Sequence, residues 1–344
     1  MTPSSQPVRP PALARGQSIA IIAASGPLAL ERPRRLQRAV GELTRLGYPV
    51  RLAPSVADPQ VWADHNWHQR VAADFTALMA DPSVGAIMSA VGGRGSAQVA
   101  RHLDPALFRS TPKIIVGNSD FCSILLSAYQ SGLVCFHGPA ALPQFGEHGG
   151  CDAYTRGNFY RTVTGRHALG ILPPSPACVI EYLEWDVDDS RSRAAKPFTP
   201  RTAVRAGEAE GPLVAANLTT ISQFVLTASP GLEFLAGAIL LLEETDTATW
   251  PRFLTSLAAL RDAGAFRSCA AIAFGRFAQV VRGEWAPDMV REAIRLQVGV
   301  NVPIAMGIEF GHTDPQLTLP MGTRVRLATR DGEAQLTILE PAVQ

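Results

Sequence analysis

Five short runs in the first 136 residues constrain the fold most. Residues 18–24 (SIAIIAA), 48–52, 86–91, 113–116 and 133–136 are largely apolar and rich in β-branched side chains. Between them, residues 32–46, 68–80, 96–103 and 121–130 carry apolar residues at helical spacing. A strand that is apolar along its length, rather than alternating, is buried on both faces. Strands separated by helices pair in parallel, because each crossover carries the chain back to the same sheet edge. The spacing therefore predicts an α/β unit with helices on both faces of a parallel sheet.

Beyond about residue 165 the rhythm breaks. Residues 171–205 hold many Pro, Asp and Arg and show little periodicity, which reads as a linker plus irregular surface loops. Short strands are expected again at 238–242, 270–274, 305–308 and 324–327, and helices at 218–228, 250–263 and 287–296. Residues 323–339 alternate apolar and polar, with Arg330-Asp331-Gly332 as a hairpin turn. The expected division is a disordered tail at 1–15, an α/β unit at 16–165, a linker at 166–180 and a second, β-rich unit at 181–344.

Charge excludes some functions. The 31 basic and 30 acidic residues leave a net charge of +1, without the basic excess that a nucleic-acid partner calls for. No apolar stretch reaches the roughly 20 residues needed to cross a bilayer. Residues 1–15 are rich in Pro and Ser and lack the apolar core of a signal peptide. The five cysteines are scattered, with no metal or redox spacing, so they are expected to be reduced, buried thiols in a cytoplasmic protein.

Three segments hold candidate chemistry. In KIIVGNSDF (113–121) a β-branched strand runs into Gly117-Asn118-Ser119-Asp120 and then directly into a helix. Such a turn exposes a nucleophilic hydroxyl at the sheet edge and at a helix N-terminus. The second glycine of G-x-S-x-G is missing, and taken alone Ser119 or Asp120 is more often just an N-cap. In AVGGRGS (90–96) successive glycines turn backbone N–H groups toward a ligand. A phosphate cradle and half of an oxyanion hole both fit; the G-x-G-x-x-G and Walker spacings are absent, which favours the oxyanion role over a nucleotide one. In AILLLEE (238–244) an apolar strand carries Glu243 to its end, with Glu244 expected to point the other way, into water.

A nucleophilic serine needs a base. Of seven histidines, His65, His68 and His102 fall in polar helical stretches, His148 in a Gly-rich loop and His167 at the linker. His137, in FHGP (136–139), follows a strand. His312, in FGHTDP (310–315), follows an apolar strand and precedes LTLPMG (317–322), where positioned catalytic groups commonly sit.

Together these blocks resemble the LD-carboxypeptidase family of serine peptidases, over about residues 16–327. The resemblance rests on IAIIAASGP (19–27), GGRGS (92–96), KIIVGNSD (113–120), FHGP (136–139), LEE (242–244), and Gly311-His312 with LPMG (319–322). It implies an N-terminal α/β domain and a smaller, barrel-like β-rich C-terminal domain, with the active site between them. It implies Ser119 as nucleophile, Glu243 and His312 as its partners, and the amides of Gly93 and Asp120 as oxyanion donors. It also implies a homodimer and no metal or other cofactor. Two positions depart from the family pattern. Ala215-Ala216-Asn217 stands where Gly-Gly-Asn is common, and Asn118 where Tyr is usual, so the substrate contacts expected of Asn217 are in question. LPQFGE (142–147) and the insertion at 181–206 resemble the microcin C self-immunity branch, in which insertion aromatics stack on adenine; Trp185 is the candidate here. Arg94 is the candidate for holding a substrate carboxylate. The expected substrate is a small peptide, with a peptidyl-nucleotide analogue as the alternative. A non-catalytic module binding small anions is the alternative from another class.

Overall fold

The computed structural model describes residues 6–197, 201–227 and 231–344. Ala228, at the end of one expected helix, and residues 1–5 and 198–200 lie outside the described residues.

Among the described residues, sixteen strands form the framework: β1 Ser18–Ile22, β2 Val50–Leu52, β3 Val84–Ser89, β4 Ile114–Gly117, β5 Cys135–His137, β6 Gly170–Ile171, β7 Ala177–Cys178, β8 Lys196–Pro197, β9 Thr202–Arg205, β10 Gly207–Asn217, β11 Ile239–Glu243, β12 Ala271–Gly275, β13 Ile304–Ile308, β14 Leu319–Met321, β15 Arg324–Arg330 and β16 Glu333–Ile338. The first sheet runs β14-β5-β4-β3-β1-β2. Its five N-terminal strands are parallel. Along β1, Ala20 and Ile22 join the apolar cluster on one face, while Ile19 and Ile21 join that on the other. Burial on both faces is why β1, β3, β4 and β5 read as largely apolar runs, whereas β2 lies at the sheet edge and is partly exposed. The order 2-1-3-4-5 places a topological switch point between β1 and β3, where ligands collect outside the strand ends.

The second sheet closes on itself. Its order is β15-β10-β11-β12-β13-β9-β16, β15 also pairs with β16, and β6 is appended to β16. The result is a seven-stranded barrel. The β15–β16 hairpin turns on Asp331 (φ 51°) and Gly332 (φ 82°). Two left-handed residues in sequence make the turn whose twist matches the strands.

Three expectations about organisation are corrected. Residues 6–15 are not a loose tail. Val8 bridges to Leu133, Arg9 pairs with Glu340, and Leu13 is buried. Second, residues 171–205 contain strand as well as loop, and β9 completes the barrel wall. Third, the two halves exchange chain: β14 leaves the C-terminal half to pair antiparallel with β5.

The linker is fixed by a buried ion network. Glu309, fully buried, accepts from Nε and Nη2 of Arg201 at 2.8 and 2.6 Å, from Nη2 of Arg276 at 3.0 Å and from the Ser175 amide at 3.1 Å. Arg201 and Arg276 in turn donate to the carbonyls of Leu172 and Ala177. Removing the carboxylate from between two buried guanidinium groups is strongly destabilising. Glu309→Ala is therefore expected to lose about 3–5 kcal/mol of stability, read from denaturant melts. A loss below about 1 kcal/mol would show that the network is not a structural keystone.

Candidate active site

The strand-to-helix turn after β4 lies where the sequence places it, and its backbone is strained at Ser119. Asn118 is extended, and Ser119 then adopts φ 58° before a 3₁₀ turn, Ser119–Phe121, leads into the helix Cys122–Gln130. The left-handed region costs a non-glycine residue about 1–2 kcal/mol, and such strain collects at functional sites. The glycine-rich loop after β3 passes against this serine. A Cβ on Gly92 would lie 2.6 Å from Ser119 Cβ and 2.7 Å from its Oγ, so glycine is required there.

Asp120 ties the two loops together. Its Oδ2 accepts from the amides of Gly95 and Ser96 at 2.9 and 2.8 Å, and Ser96 Oγ donates to its carbonyl. The sequence suggested only its backbone amide; the side chain holds the loop that carries Gly93 and Arg94.

His312 and Glu243 complete a hydrogen-bonded line. Nε2 of His312 lies 3.0 Å from Ser119 Oγ, and Nδ1 lies 2.6 Å from Oε2 of Glu243. Three stretches of chain, 193 and 69 residues apart in sequence, meet here. Glu243 ends β11 and is fully enclosed, while the His312 side chain keeps 19% of its surface exposed. Gly311 (φ 102°) makes the approach possible, because a Cβ there would sit 2.5 Å from Oε2 of Glu243. Gln316 braces the same loop, donating from Nε2 to the Gly311 carbonyl at 2.7 Å and accepting at Oε1 from the side-chain Nδ2 of Asn118 at 3.4 Å. No local pattern in the sequence singles out Gln316.

Burial opposes charge on His312, but the Glu243 carboxylate, by its charge and its hydrogen bond, outweighs it and pushes the imidazole up to about 9. Burial likewise works against an ionised Glu243, and the charge and hydrogen bond of His312 overcome it, holding the carboxyl below its usual range. Glu244 does not face water as expected. It is buried, accepts from Thr219 Oγ1 at 2.9 Å and the Thr245 amide at 2.8 Å, and burial raises its pKa.

A cleft of about 840 Å³ opens over this line. Gly93, Arg94, Ser119, Asp120, Asn217 and His312 all line it, and Glu243 lies just beneath. Asn217 is largely committed to structure: its Oδ1 accepts from the amide and hydroxyl of Thr220, capping the helix Leu218–Thr227. Arg252, which sequence reasoning passed over, also lines the cleft and donates from Nε to Thr219 Oγ1 at 3.1 Å. Trp185 is not brought to the cleft. Its ring stacks under the Arg35 guanidinium at 4.5 Å, and its neighbour Asp186 accepts from the amides of Arg34 and Arg35 at the start of the helix Pro33–Arg45. The insertion is pinned to the α/β half by these bonds and to the His312 loop by Arg193, which pairs with Glu147 and Asp314. Among the described residues no group of three or more His, Cys, Asp or Glu is arranged to hold a metal ion, and no helix is long and apolar enough to cross a membrane.

Residues 19–138 match the LD-carboxypeptidase N-terminal domain, and residues 210–327 match the LD-carboxypeptidase C-terminal domain. The microcin C7 self-immunity protein MccF of Escherichia coli is 28% identical over 335 residues, 94% of each chain. The murein tetrapeptide carboxypeptidase of Pseudomonas aeruginosa is 29% identical over 247 residues, 70% of this chain and 71% of that one. The crystal structure of an MccF-like protein from Bacillus anthracis superposes with a TM-score of 0.84 at 26% identity, covering 96% of this chain and 99% of that one.

Proposed function

The chain belongs to the LD-carboxypeptidase family, and from that premise we propose that it is a serine hydrolase that cleaves an amide bond in a small peptide, with Ser119, His312 and Glu243 as its triad. The observation that carries this reading is the continuous line from Oγ through the imidazole to a buried carboxylate, opening on a cleft. His312 takes the Ser119 proton as Oγ attacks the scissile carbonyl carbon. Glu243 fixes the imidazole tautomer and stabilises the imidazolium. The amides of Gly93 and Asp120 receive the developing oxyanion, each such donor contributing about 10²–10³ in rate. His312 then protonates the leaving amine, and water, activated by the same imidazole, releases the acyl group.

The favoured substrate is a murein peptide with an L,D-bond and a free terminal carboxylate. Arg94, exposed at the cleft wall, would hold that carboxylate. Arg94→Ala is expected to raise KM about 10- to 100-fold and leave kcat within a few-fold, because such binding is shared by ground and transition states. Amidating the substrate's carboxylate should erase the difference between the two proteins. A fall in kcat at unchanged KM would assign Arg94 to the chemistry instead.

The 94% mutual coverage with a self-immunity protein supports a second reading, hydrolysis of a peptidyl or aminoacyl nucleotide analogue. Parallel assays on a murein tetrapeptide and an aminoacyl sulfamoyl adenylate decide between them. Turnover of the tetrapeptide alone favours the first, turnover of the adenylate alone the second. Inertness toward both, with no serine-directed labelling, would leave an anion-binding module.

A further inference from the structure

The mechanism above leaves one buried imidazole without a task. His137 ends β5, in register with Gly117 at the end of β4 and with Leu319 on β14. Its side chain is fully buried, and its ring packs edge-on against Phe310 with centroids 5.3 Å apart. Nε2 lies 4.0 Å from Oε1 of Glu243, the oxygen not engaged by His312. Asn217 stands beside Glu243 in the β10–β11 register. Among the described residues, His137 Nε2, Glu243 Oε1 and Asn217 Nδ2 are all enclosed and none is in close hydrogen-bond geometry, although the Asn217 amide is near enough to help hold the Glu243 carboxyl ionised. Leaving such groups buried and unpaired is unfavourable. Two possible donors and one acceptor, gathered behind one carboxylate, are complementary in kind.

We propose that His137 is a positioning residue: as a neutral imidazole carrying its proton on Nε2, it works with Asn217 to steady the Oε1 side of Glu243, and so sets the orientation and effective charge the carboxylate presents to His312. The consequence for turnover rests on the hydrolase reading above; the placement of the proton does not.

Neutrality is essential to this role. A second cation would share the carboxylate's charge and weaken its hold on His312. Burial keeps His137 neutral, lowering its pKa to about 4 against the pull of Glu243, with His312 lowering it further. The charged and titratable groups around the line are few. Glu243 faces His312 and His137, Cys122 lies near it, and His312 also feels Asp246 and Glu244. A neutral N–H aimed at a carboxylate partly offsets its charge. Its removal therefore makes Glu243 a stronger partner for the imidazolium.

Ring-nitrogen NMR of the wild-type protein gives the first test. His137 is expected to stay neutral, with Nε2 protonated, from about pH 5 to 8. A bare Nε2, or titration near the ordinary value, would overturn the proposal. The second test compares two variants. His137→Phe keeps the ring packing against Phe310 and removes the donor. It should move the His312 titration alkaline by about half a pH unit and lower kcat on the order of tenfold with KM unchanged. His137→Gln, which retains an N–H donor, should return both toward wild type. A His137→Phe protein with an unmoved His312 titration would reduce His137 to a space-filler. Should that variant not fold, the wild-type tautomer decides. None of the titrations needs turnover, so a wild type inert toward every peptide would refute the hydrolase reading and leave this one standing.

Discussion

Ser119→Ala is expected to lower kcat/KM by at least about 10⁴-fold while leaving the melting temperature within about 2 °C of wild type. The loss is large because the mechanism offers no second nucleophile: Cys122, three residues on, is fully buried and its thiol is pushed well above its ordinary range by that burial. Stability should survive because alanine keeps the Cβ and the same φ of 58°. Ser119→Gly tests the strain separately. It should be as inactive, yet melt no lower than the alanine variant, since relief of about 1–2 kcal/mol opposes a comparable gain in unfolded-chain freedom. Amide hydrolysis and labelling by a fluorophosphonate read the chemistry, and thermal melts read the backbone. Hydrolysis retained in Ser119→Ala would remove the serine from the mechanism.

What the sequence disclosed and what it hid divide along one physical line. Ser119, Glu243 and His312 stand out as candidates because each ends or follows a buried strand, and a short apolar run is a local signal; only the family resemblance joins the three. The turn is legible for the same reason, as a strand entering a helix through Gly117-Asn118-Ser119-Asp120, but the left-handed Ser119 is seen only in the structure. Long-range pairing is not legible. The strand Leu319–Met321 has three residues with a proline at its centre, which argues against a strand unless it lies at a sheet edge, where this one does. The pairing of Val8 with Leu133 leaves no periodic mark in a Pro-rich segment. Only the resemblance points Trp185 to the cleft, and the structure stacks it under Arg35 instead. Strand alternation points Glu244 to solvent, but the strand ends at Glu243, so alternation no longer governs its neighbour. The Asp120 carboxylate has its partners 24 and 25 residues upstream, a distance over which spacing says nothing.

Glu243→Gln should produce two effects of opposite appearance. The first is on pH. A general base has to be neutral to take the serine proton, so with His312 held at about 9 the wild-type kcat/KM should rise with pH through that value. Burial opposes the imidazolium, and the Glu243 carboxylate is what overcomes it. Glutamine removes that carboxylate's charge, so the ascending limb should move acidic, toward or below the ordinary histidine value of about 6.5. The second effect is on the plateau, which should fall by about 10²–10⁴-fold. An amide cannot balance the imidazolium formed in the transition state, and its NH₂ face can invert the tautomer. The variant thus gains neutral base and loses catalysis, because the interaction that keeps the resting imidazole charged is the one that stabilises it during proton transfer. Stability should follow the same sign. The raised His312 pKa contributes fully below about pH 6.5 and is lost as pH rises through about 9. The depressed Glu243 pKa contributes above the ordinary glutamate value of about 4.3 and fades as pH falls below it. The melting difference between wild type and Glu243→Gln should therefore be widest from about pH 4.5 to 6.5 and shrink toward pH 9. A variant whose pH limb coincides with that of wild type would detach Glu243 from His312 and dismantle the line.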